Sequence, residues 1–381
     1  MSGTAAGPVR ILLVDGYPAH LRRLRAVVQH DAELAVVAEA YSGVEAVMLV
    51  HRVRPDLVLM SCDLPDGDAL VALETIMADQ PTPVVVHSPV LGGHDWTRAV
   101  ISAGAVDVLP GCAGAPLDDL ASYGTRLRHR LLLAARAPVI AHPRARLRAD
   151  GADGADGAVR MREALVGAQR RPRGALGPIR LLVIGASTGG PAALVSLLGA
   201  LPVELDVAVL VIQHMAEGFI EGLAEWLDSM VGLPVGVACS GRRLQAGRVA
   251  LAPSGVNLVI RDDLLVICEP AGPGQYHVPN IDTAFGSVAH RLGPQAVGIL
   301  LTGMGRDGAL GMRALREAGA VTIGQDEATS TVYGMPAAAV AMSAVVEQLP
   351  LPAIAPRLVE LVAAARRPDP RPVSALEEQP R

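Results

Sequence analysis

The fold is decided by the stretch from Arg180 to Pro202, which reads RLLVIGASTGGPAALVSLLGALP. Its first part, Leu181–Ile184, is a continuous apolar run, as is typical of a parallel strand that is covered on both faces. The glycines of the GASTGG turn permit a sharp change of direction, and Pro191 suits the first turn of a helix, where its missing N–H has no cost. The stretch therefore predicts a strand, a tight turn and a helix, with Ser187 on the turn.

Ser187 would lie beside the unpaired N–H groups of a helix start, which form a ready anion site. Two interpretations follow: a nucleophile with an adjacent oxyanion site, or a cradle for a phosphate group. The turn lacks the lysine of a P-loop and does not have the G-x-G-x-x-G spacing of a dinucleotide site. A phosphate- or nucleotide-binding regulator therefore stays open as the weaker hypothesis.

Composition and length limit the classes of protein that the chain can represent. Its 381 residues suffice for two domains and a linker, and 51% hydrophobic residues provide a sizeable core. A net charge of -5 argues against a general nucleic-acid binder. The chain contains no lysine, so no mechanism here can use one. Its four cysteines form no CxxC pair and have no zinc spacing, which favours reduced, mostly buried thiols of a cytosolic protein. We expect no cofactor.

We expect a cytoplasmic protein that is not inserted in a membrane. The N-terminal MSGTAAGPVR has no apolar signal core. The uncharged stretch Leu181–Val203 is long enough to span a bilayer, but its STGGP interruption favours a globular α/β core.

Two α/β domains are predicted, at residues 9–136 and 178–365, because short apolar strands alternate with helical stretches in both. The segment 137–177, with GADGADG and arginine-rich runs, is predicted to be a flexible linker that contains a helix near Ala158–Gln169. Residues 366–381 are predicted to be a disordered tail.

The predicted elements give both domains mainly parallel sheets. Strands of the first domain are predicted at Ile11–Val14, Ala35–Glu39, Leu57–Met60, Val84–Val86 and Val106–Leu109. Its predicted helices include His20–His30, Gly43–Arg52, Trp96–Ala103 and Pro116–Ala135. Strands of the second domain are predicted at Leu181–Ile184, Val207–Ile212, Val249–Ala252, Leu258–Ile260, Leu264–Cys268, Val297–Leu301 and Val321–Gly324.

Polar side chains follow three predicted strands of the second domain: Ser187, His214 and Asp307. Ligands bind outside the carboxyl ends of the strands in open α/β sheets, so we expect these three residues to converge. A serine hydroxyl needs a base to take its proton, and His214 could be that base with Asp307 orienting it. Each residue alone is also compatible with a structural role, as a hydrogen-bonded core histidine or a turn-forming aspartate.

At these residues the second domain resembles the catalytic domain of the chemotaxis protein-glutamate methylesterases. The resemblance implies hydrolysis of glutamate γ-methyl esters on chemoreceptor cytoplasmic domains, with glutamine deamidation as a related activity. It is carried by the segments IGASTGGPAAL, VIQHMAEGF, VALAPSGVNL, PNIDTAF, AVGILLTGMGRDGALGM and QDEATSTVYGMP.

The resemblance assigns roles to five residues of this chain. Ser187 matches the nucleophile, His214 the base and Asp307 the orienting acid. Thr188 matches a threonine beside the nucleophile, and Met304 matches a residue whose backbone N–H helps to form the oxyanion hole.

The first domain resembles a response-regulator receiver, a (βα)5 flavodoxin-like domain that is the family's usual regulatory half. Receivers normally carry an acidic pair after the first strand, and here Asp15 is followed by Gly16. The position aligned with the phosphoacceptor aspartate is Ser61, and Asp63 comes two residues later. Asp15 is therefore interpreted as a remnant of the acidic site.

The resemblance also aligns Ser88 with the switch hydroxyl and places the usual lysine near Gly111, in a chain without lysine. Mg²⁺ requires several carboxylate oxygens beside a phosphoryl group, and Asp15 alone leaves too few. We therefore predict a degenerate receiver with no phosphoacceptor and no metal site. Asp63 or Asp66 as a substitute acceptor is a less favoured alternative.

The leading hypothesis is a two-domain methylesterase that is not controlled by aspartyl phosphorylation. The resemblance implies methyl-accepting chemoreceptors as the substrate, and a histidine kinase or array proteins as candidate partners of the receiver-like domain. The alternative is a non-catalytic receptor-binding adaptor of the same fold.

Overall fold

The computed structural model of the protein describes residues 7–65, 67, 69–88, 94–110, 120–135, 178–215, 218–272 and 277–365. The predicted linker at 137–177, its predicted helix and the predicted tail at 366–381 lie outside these residues, and so do residues 116–119 of the predicted closing helix.

The first domain is a five-stranded parallel sheet with helices on both faces. Its strands are β1 (Val9–Val14), β2 (Leu34–Ala40), β3 (Leu57–Ser61), β4 (Val84–Ser88) and β5 (Asp107–Pro110). Its helices are α1 (Pro18–Val28), α2 (Gly43–Val53), α3 (Ala69–Asp79), α4 (His94–Ser102) and α5 (Leu120–Ala134). The strand order β2-β1-β3-β4-β5 is a doubly wound arrangement, and all five predicted strands are confirmed.

The second domain is built around a seven-stranded sheet and six helices. Its strands are β6 (Leu181–Ala186), β7 (Ala208–Gln213), β8 (Val235–Val237), β9 (Val249–Leu251), β10 (Asn257–Ile260), β11 (Val266–Glu269), β12 (Ala296–Leu300), β13 (Val321–Gln325) and β14 (Glu347–Leu349). Its helices are α6 (Gly190–Gly199), α7 (Ile220–Met230), α8 (Ile281–Leu292), α9 (Ala309–Glu317), α10 (Met335–Ala341) and α11 (Leu351–Ala365).

The strand order of the second sheet indicates where a ligand site is expected. The order is β14-β13-β12-β6-β7-β9-β8, and every neighbouring pair is parallel. The chain proceeds from β6 to one side of the sheet and later returns to the other side at β12. The strand order therefore reverses between β6 and β12, which is where ligands bind in open α/β sheets. All residues of β6, β7 and β12 are buried, which accounts for their continuous apolar runs.

Two details of the second domain differ from the sequence predictions. The strand predicted at Leu264–Cys268 is wrong at its start, because Leu264 closes a 3₁₀ turn with φ 59° and the strand begins at Val266. The edge strands β8 and β14 were not predicted, and each has only three residues. The strands β10 and β11 pair antiparallel to each other outside the seven-stranded sheet, so the domain is mostly parallel, as predicted.

Helix α4 of the first domain packs against helix α7 of the second. Half-buried Trp96 of α4 adjoins an apolar cluster that includes residues of both domains. Within the described residues, no helix has the length and apolar character needed to cross a membrane.

Candidate active site

Three neighbouring strand ends bring the predicted site residues to one edge of the second sheet. Ser187 directly follows β6, His214 directly follows β7, and Asp307 lies between β12 and α9. The backbone N–H of Ser187 donates to the carbonyl of Thr302 at 3.0 Å, and that of His214 donates to the carbonyl of Ala186 at 2.9 Å. The predicted convergence at the carboxyl ends of the strands is therefore observed.

His214 and Asp307 form a hydrogen-bonded pair, in which Nε2 of the imidazole lies 2.8 Å from Oδ2 of the carboxylate. Their side chains are only 9% and 7% exposed. Because a carboxylate can only accept, Nε2 of the neutral ring carries the proton and Nδ1 is left as the acceptor. The pair can therefore offer Nδ1 as a base to a hydroxyl group.

Asp307 is held by several N–H donors in addition to the imidazole. Its Oδ2 accepts from the backbone N–H of Ile281 at 2.9 Å. Its Oδ1 accepts from Nδ2 of Asn280 at 3.0 Å and from the backbone N–H groups of Asp282 and Gly308, both at 2.9 Å. Burial raises the pKa of Asp307, but the hydrogen bond and charge of the imidazole and the N–H donors outweigh it, so the pKa lies below its ordinary value. The carboxylate is therefore ionised at neutral pH.

Ser187 lies in the turn before α6 and is 6% exposed. Within the described part of the chain, its hydroxyl makes no hydrogen bond, and the contact with the imidazole of His214 is therefore not closed. Nucleophile–base contacts are often long in unliganded enzymes and tighten when substrate binds. The side chain of Gln213 links the two backbones, because its Nε2 donates to the carbonyls of Ser187 at 2.8 Å and His214 at 2.9 Å.

The backbone segment that follows β12 packs closely against Ser187. A Cβ atom at Gly303 would lie 2.8 Å from Cβ of Ser187 and 2.3 Å from Sδ of Met335, so only glycine fits at this position. The next backbone N–H, that of half-buried Met304, has no acceptor among the residues that the structure describes. Thr188 is 2% exposed, and its carbonyl accepts from the Thr302 hydroxyl at 3.0 Å. A free N–H beside a serine is the arrangement that an oxyanion requires.

Sequence reasoning assigned no role to Gln213, Asn280 or His277, although all three lie at the site. The imidazole of His277 stacks on that of His214, with ring centroids 4.9 Å apart and an interplanar angle of 9°. Gln213 precedes the predicted base, and Asn280 belongs to the quoted PNIDTAF segment. The hydrogen bonds from Gln213 to Ser187 and from Asn280 to Asp307 join residues far apart in sequence. The only sequence signal for Gln213 and Asn280 is therefore that they lie within the segments that carry the resemblance.

The receiver positions singled out in the sequence lie just after β1 and at the end of β3. Ser61 ends β3 and is buried, and the backbone N–H of exposed Asp63 donates to its hydroxyl at 3.2 Å. A Cβ atom at Gly16 would lie 2.2 Å from Cδ of Pro65, so a larger side chain requires the proline ring to move. Outside the described residues lie Asp66, Gly111 and the side chain of Ser88.

The remaining acid, Asp15, is fully buried and is surrounded by histidines. Its Oδ1 accepts from the backbone N–H of Tyr17 at 2.8 Å and lies 3.4 Å from Nδ1 of His20, while its Oδ2 lies 3.7 Å from Nε2 of His87. Burial raises the pKa of Asp15, and burial together with the charge of His20 lowers the pKa of His87 to about 4. Among the described residues, no group of three or more His, Cys, Asp and Glu side chains is arranged to hold a metal ion.

Two family models match the chain. Residues 11–113 match the response regulator receiver domain, and residues 182–358 match the CheB methylesterase. The protein therefore combines a receiver domain with a methylesterase domain, each in the half of the chain where the corresponding parallel sheet lies.

Full-length relatives define the family. A Cupriavidus pinatubonensis protein named protein-glutamate methylesterase/protein-glutamine glutaminase 1 is 38% identical over 364 residues, which cover 94% of this chain and 99% of the relative. A relative from Anaeromyxobacter dehalogenans, with the same name and the number 2, is 38% identical over 93% of this chain and 97% of its own length. The crystal structure of the Thermotoga maritima CheB methylesterase catalytic domain is 30% identical with a TM-score of 0.47, covering 48% of this chain and 99% of that one. The chain belongs to the protein-glutamate methylesterase/protein-glutamine glutaminase family.

Proposed function

We propose that the protein hydrolyses the γ-methyl esters of glutamate side chains on chemoreceptor cytoplasmic domains, and that it also deamidates glutamine. The observation that carries this proposal is the 2.8 Å hydrogen bond between His214 and Asp307 at the strand end beside Ser187. The names of the relatives support both reactions. A cytoplasmic location follows from the proposed substrate.

Ser187 is the proposed nucleophile of a two-step reaction. Its Oγ attacks the ester carbonyl carbon while Nδ1 of His214 takes the hydroxyl proton. The tetrahedral intermediate collapses as this proton passes to the methoxy oxygen, and methanol leaves. Water then attacks the acyl-serine and gives a proton to His214, which returns it to Oγ of Ser187 as the glutamate carboxyl group is released. With a glutamine side chain, the group that leaves in the first step is ammonia.

The supporting residues act on charge that develops during the reaction. Asp307 would keep His214 in the Nε2-protonated tautomer and stabilise the imidazolium, since it accepts the Nε2 hydrogen bond. The backbone N–H of Met304 would donate to the oxyanion of each tetrahedral intermediate. Thr188, buried beside the nucleophile, would hold the turn through its carbonyl.

Replacing Ser187 with alanine is expected to lower methanol release from a methylated receptor by about 10⁴-fold or more, because no other hydroxyl can form the acyl intermediate. The matched control is Ser196→Ala, which removes an exposed hydroxyl from the middle of α6 and should leave the rate unchanged. Equal methanol release by the wild type and Ser187→Ala would contradict the proposed function. Receptor binding without any methanol release by the wild type would favour the adaptor alternative.

We also propose that the activity is independent of aspartyl phosphorylation. Ser61 stands where the acceptor is expected, and the ion-pair partners of Asp15 are the imidazoles of His20 and His87 at 3.4 and 3.7 Å, while the charge of the Asp63 carboxylate only raises the pKa of Asp15. The domain bounds 9–136 and 178–365 belong to this proposal, with the receiver-like domain serving to contact a histidine kinase or array proteins.

Acetyl phosphate or beryllofluoride with Mg²⁺ is expected to leave the hydrolysis rate unchanged and to add no phosphoryl group detectable by intact-protein mass spectrometry. The double variant Gly16→Asp/Ser61→Asp is expected to stay unresponsive, because the Cβ position at residue 16 is 2.2 Å from Cδ of Pro65. A Mg²⁺-dependent rise in the rate of the wild type would refute phosphorylation independence, and it would leave the esterase proposal intact.

A further inference from the structure

His277 lies outside the Ser187, His214 and Asp307 set, yet its ring covers one face of the proposed base. The two imidazoles are 4.9 Å apart at their centroids and within 9° of parallel. The segment that carries His277 is held in place by hydrogen bonds of Asn280, three residues further along the chain. There Asn280 donates from its backbone N–H to Oδ1 of Asn257 at 2.9 Å and accepts from the backbone N–H of Thr283 at 2.8 Å as the N-cap of α8.

The stacked ring supplies a restraint that the other contacts of His214 do not. The side chain of His214 has one hydrogen bond in the described structure, from Nε2 to Oδ2 of Asp307. A single hydrogen bond leaves the imidazole free to tilt about an axis through its Nε2, and such a tilt would change the direction in which Nδ1 points. A flat ring against one face opposes this tilt, as aromatic stacking favours parallel offset planes.

The charge state of His277 suits this contact. Burial and the charge of His214 lower its pKa, Asp307 opposes the shift, and Arg130 of α5 adds to it. The lowered pKa favours the uncharged ring at neutral pH, so His277 places no second positive charge against the imidazolium that forms on His214.

We propose that His277 is a positioning residue for the esterase reaction, which holds the imidazole of His214 with Nδ1 directed at Ser187 by stacking on its face. This inference rests on the proposed function. It assigns to His277 neither a proton transfer nor a contact with substrate.

The test compares His277→Ala, His277→Phe and the control His290→Ala, which removes an exposed histidine from the last turn of α8. All are made in the full chain, and kcat and KM are measured on the plateau of each pH–rate profile. We expect His277→Ala to lower kcat by about 10- to 100-fold, with KM changed by less than about twofold. Phenylalanine can stack but cannot carry a proton, so His277→Phe should retain kcat within about threefold of the wild type. The rate at which a fluorophosphonate phosphonylates Oγ of Ser187, with loss of fluoride, gives a second readout that needs no receptor and should follow the same order.

The outcomes separate this inference from the proposed function. The inference is overturned if His277→Ala keeps the wild-type kcat and labelling rate, if His277→Phe loses as much as His277→Ala, or if the whole effect is in KM. Labelling that depends on an aromatic ring at residue 277 supports it even where the methylated receptor proves not to be the substrate. A wild type that neither releases methanol nor labels at Ser187 would overturn both proposals.

Discussion

Replacing Asp307 with asparagine is expected to lower kcat for ester hydrolysis by about 10⁴-fold, because the amide cannot accept all the hydrogen bonds that the carboxylate accepts. If its NH₂ group takes the place of Oδ2, it faces Nε2 of His214 and the N–H of Ile281. His214 must then change tautomer and protonate Nδ1, which removes the acceptor for the serine proton. If NH₂ takes the place of Oδ1, it faces three N–H donors, from Asn280, Asp282 and Gly308.

The Asp307→Asn variant should also be less stable, since each buried donor left without an acceptor costs about 1–3 kcal/mol. The matched control is Asp228→Asn, because exposed Asp228 accepts one backbone N–H, that of Val235, and an amide oxygen can replace that acceptor. Steady-state kinetics and chemical denaturation check the two expectations. Retention of kcat within about tenfold of the wild type would show that the carboxylate does not set the tautomer.

Substituting alanine for Gly303 is the second change for which we expect a large effect, with kcat lowered by about 10²- to 10³-fold. The added Cβ would lie 2.3 Å from Sδ of fully buried Met335 and 2.8 Å from Cβ of Ser187. Relief of these contacts must displace either the nucleophile or the backbone that carries the N–H of Met304. Either displacement separates Ser187 from the proposed oxyanion donor, so the loss should appear in kcat more than in KM.

Gly286→Ala is the matched control for Gly303→Ala. A Cβ at Gly286 has no neighbouring atom within 4 Å, and this glycine lies inside helix α8. Alanine there should leave kcat unchanged and raise stability by about 0.5–1 kcal/mol, because glycine is the poorer helix former. Kinetics, fluorophosphonate labelling and thermal unfolding of both variants provide the measurements. A fully active Gly303→Ala protein would rule out the close approach of these two backbones as a requirement for catalysis.

Much of the fold is predictable from this sequence because parallel strands that are covered on both faces must be apolar along their whole length. The runs at Leu181–Ile184 and Leu57–Met60 are of this kind, and both are strands. The same criterion fails at Leu264, because an apolar residue in a left-handed turn has no distinguishing pattern. It also misses β8 and β14, since three-residue edge strands are too short to show a period.

The candidate site, like the fold, is only partly predictable from the sequence. Ser187, His214 and Asp307 could be selected from the sequence because each follows an apolar run or lies in a glycine-rich turn after one. Three of the hydrogen bonds to Asp307 could not, since their donors lie on the segment that begins α8, 25 to 27 residues away along the chain. The stacking of His277 on His214 likewise depends on how that segment packs against the end of β7.

The sequence by itself determined two α/β domains and the residues at the strand ends, because these depend on residue types and local apolar runs. The loss of the receiver's acceptor at Ser61 is a prediction of the same kind, since it rests on one residue type at one aligned position. The tertiary structure alone decided that Nε2 rather than Nδ1 of His214 bonds to Asp307, and that Pro65 fills the space beside Gly16. Ring orientation and excluded space arise between segments that are distant in sequence, and no local pattern records the distances between them.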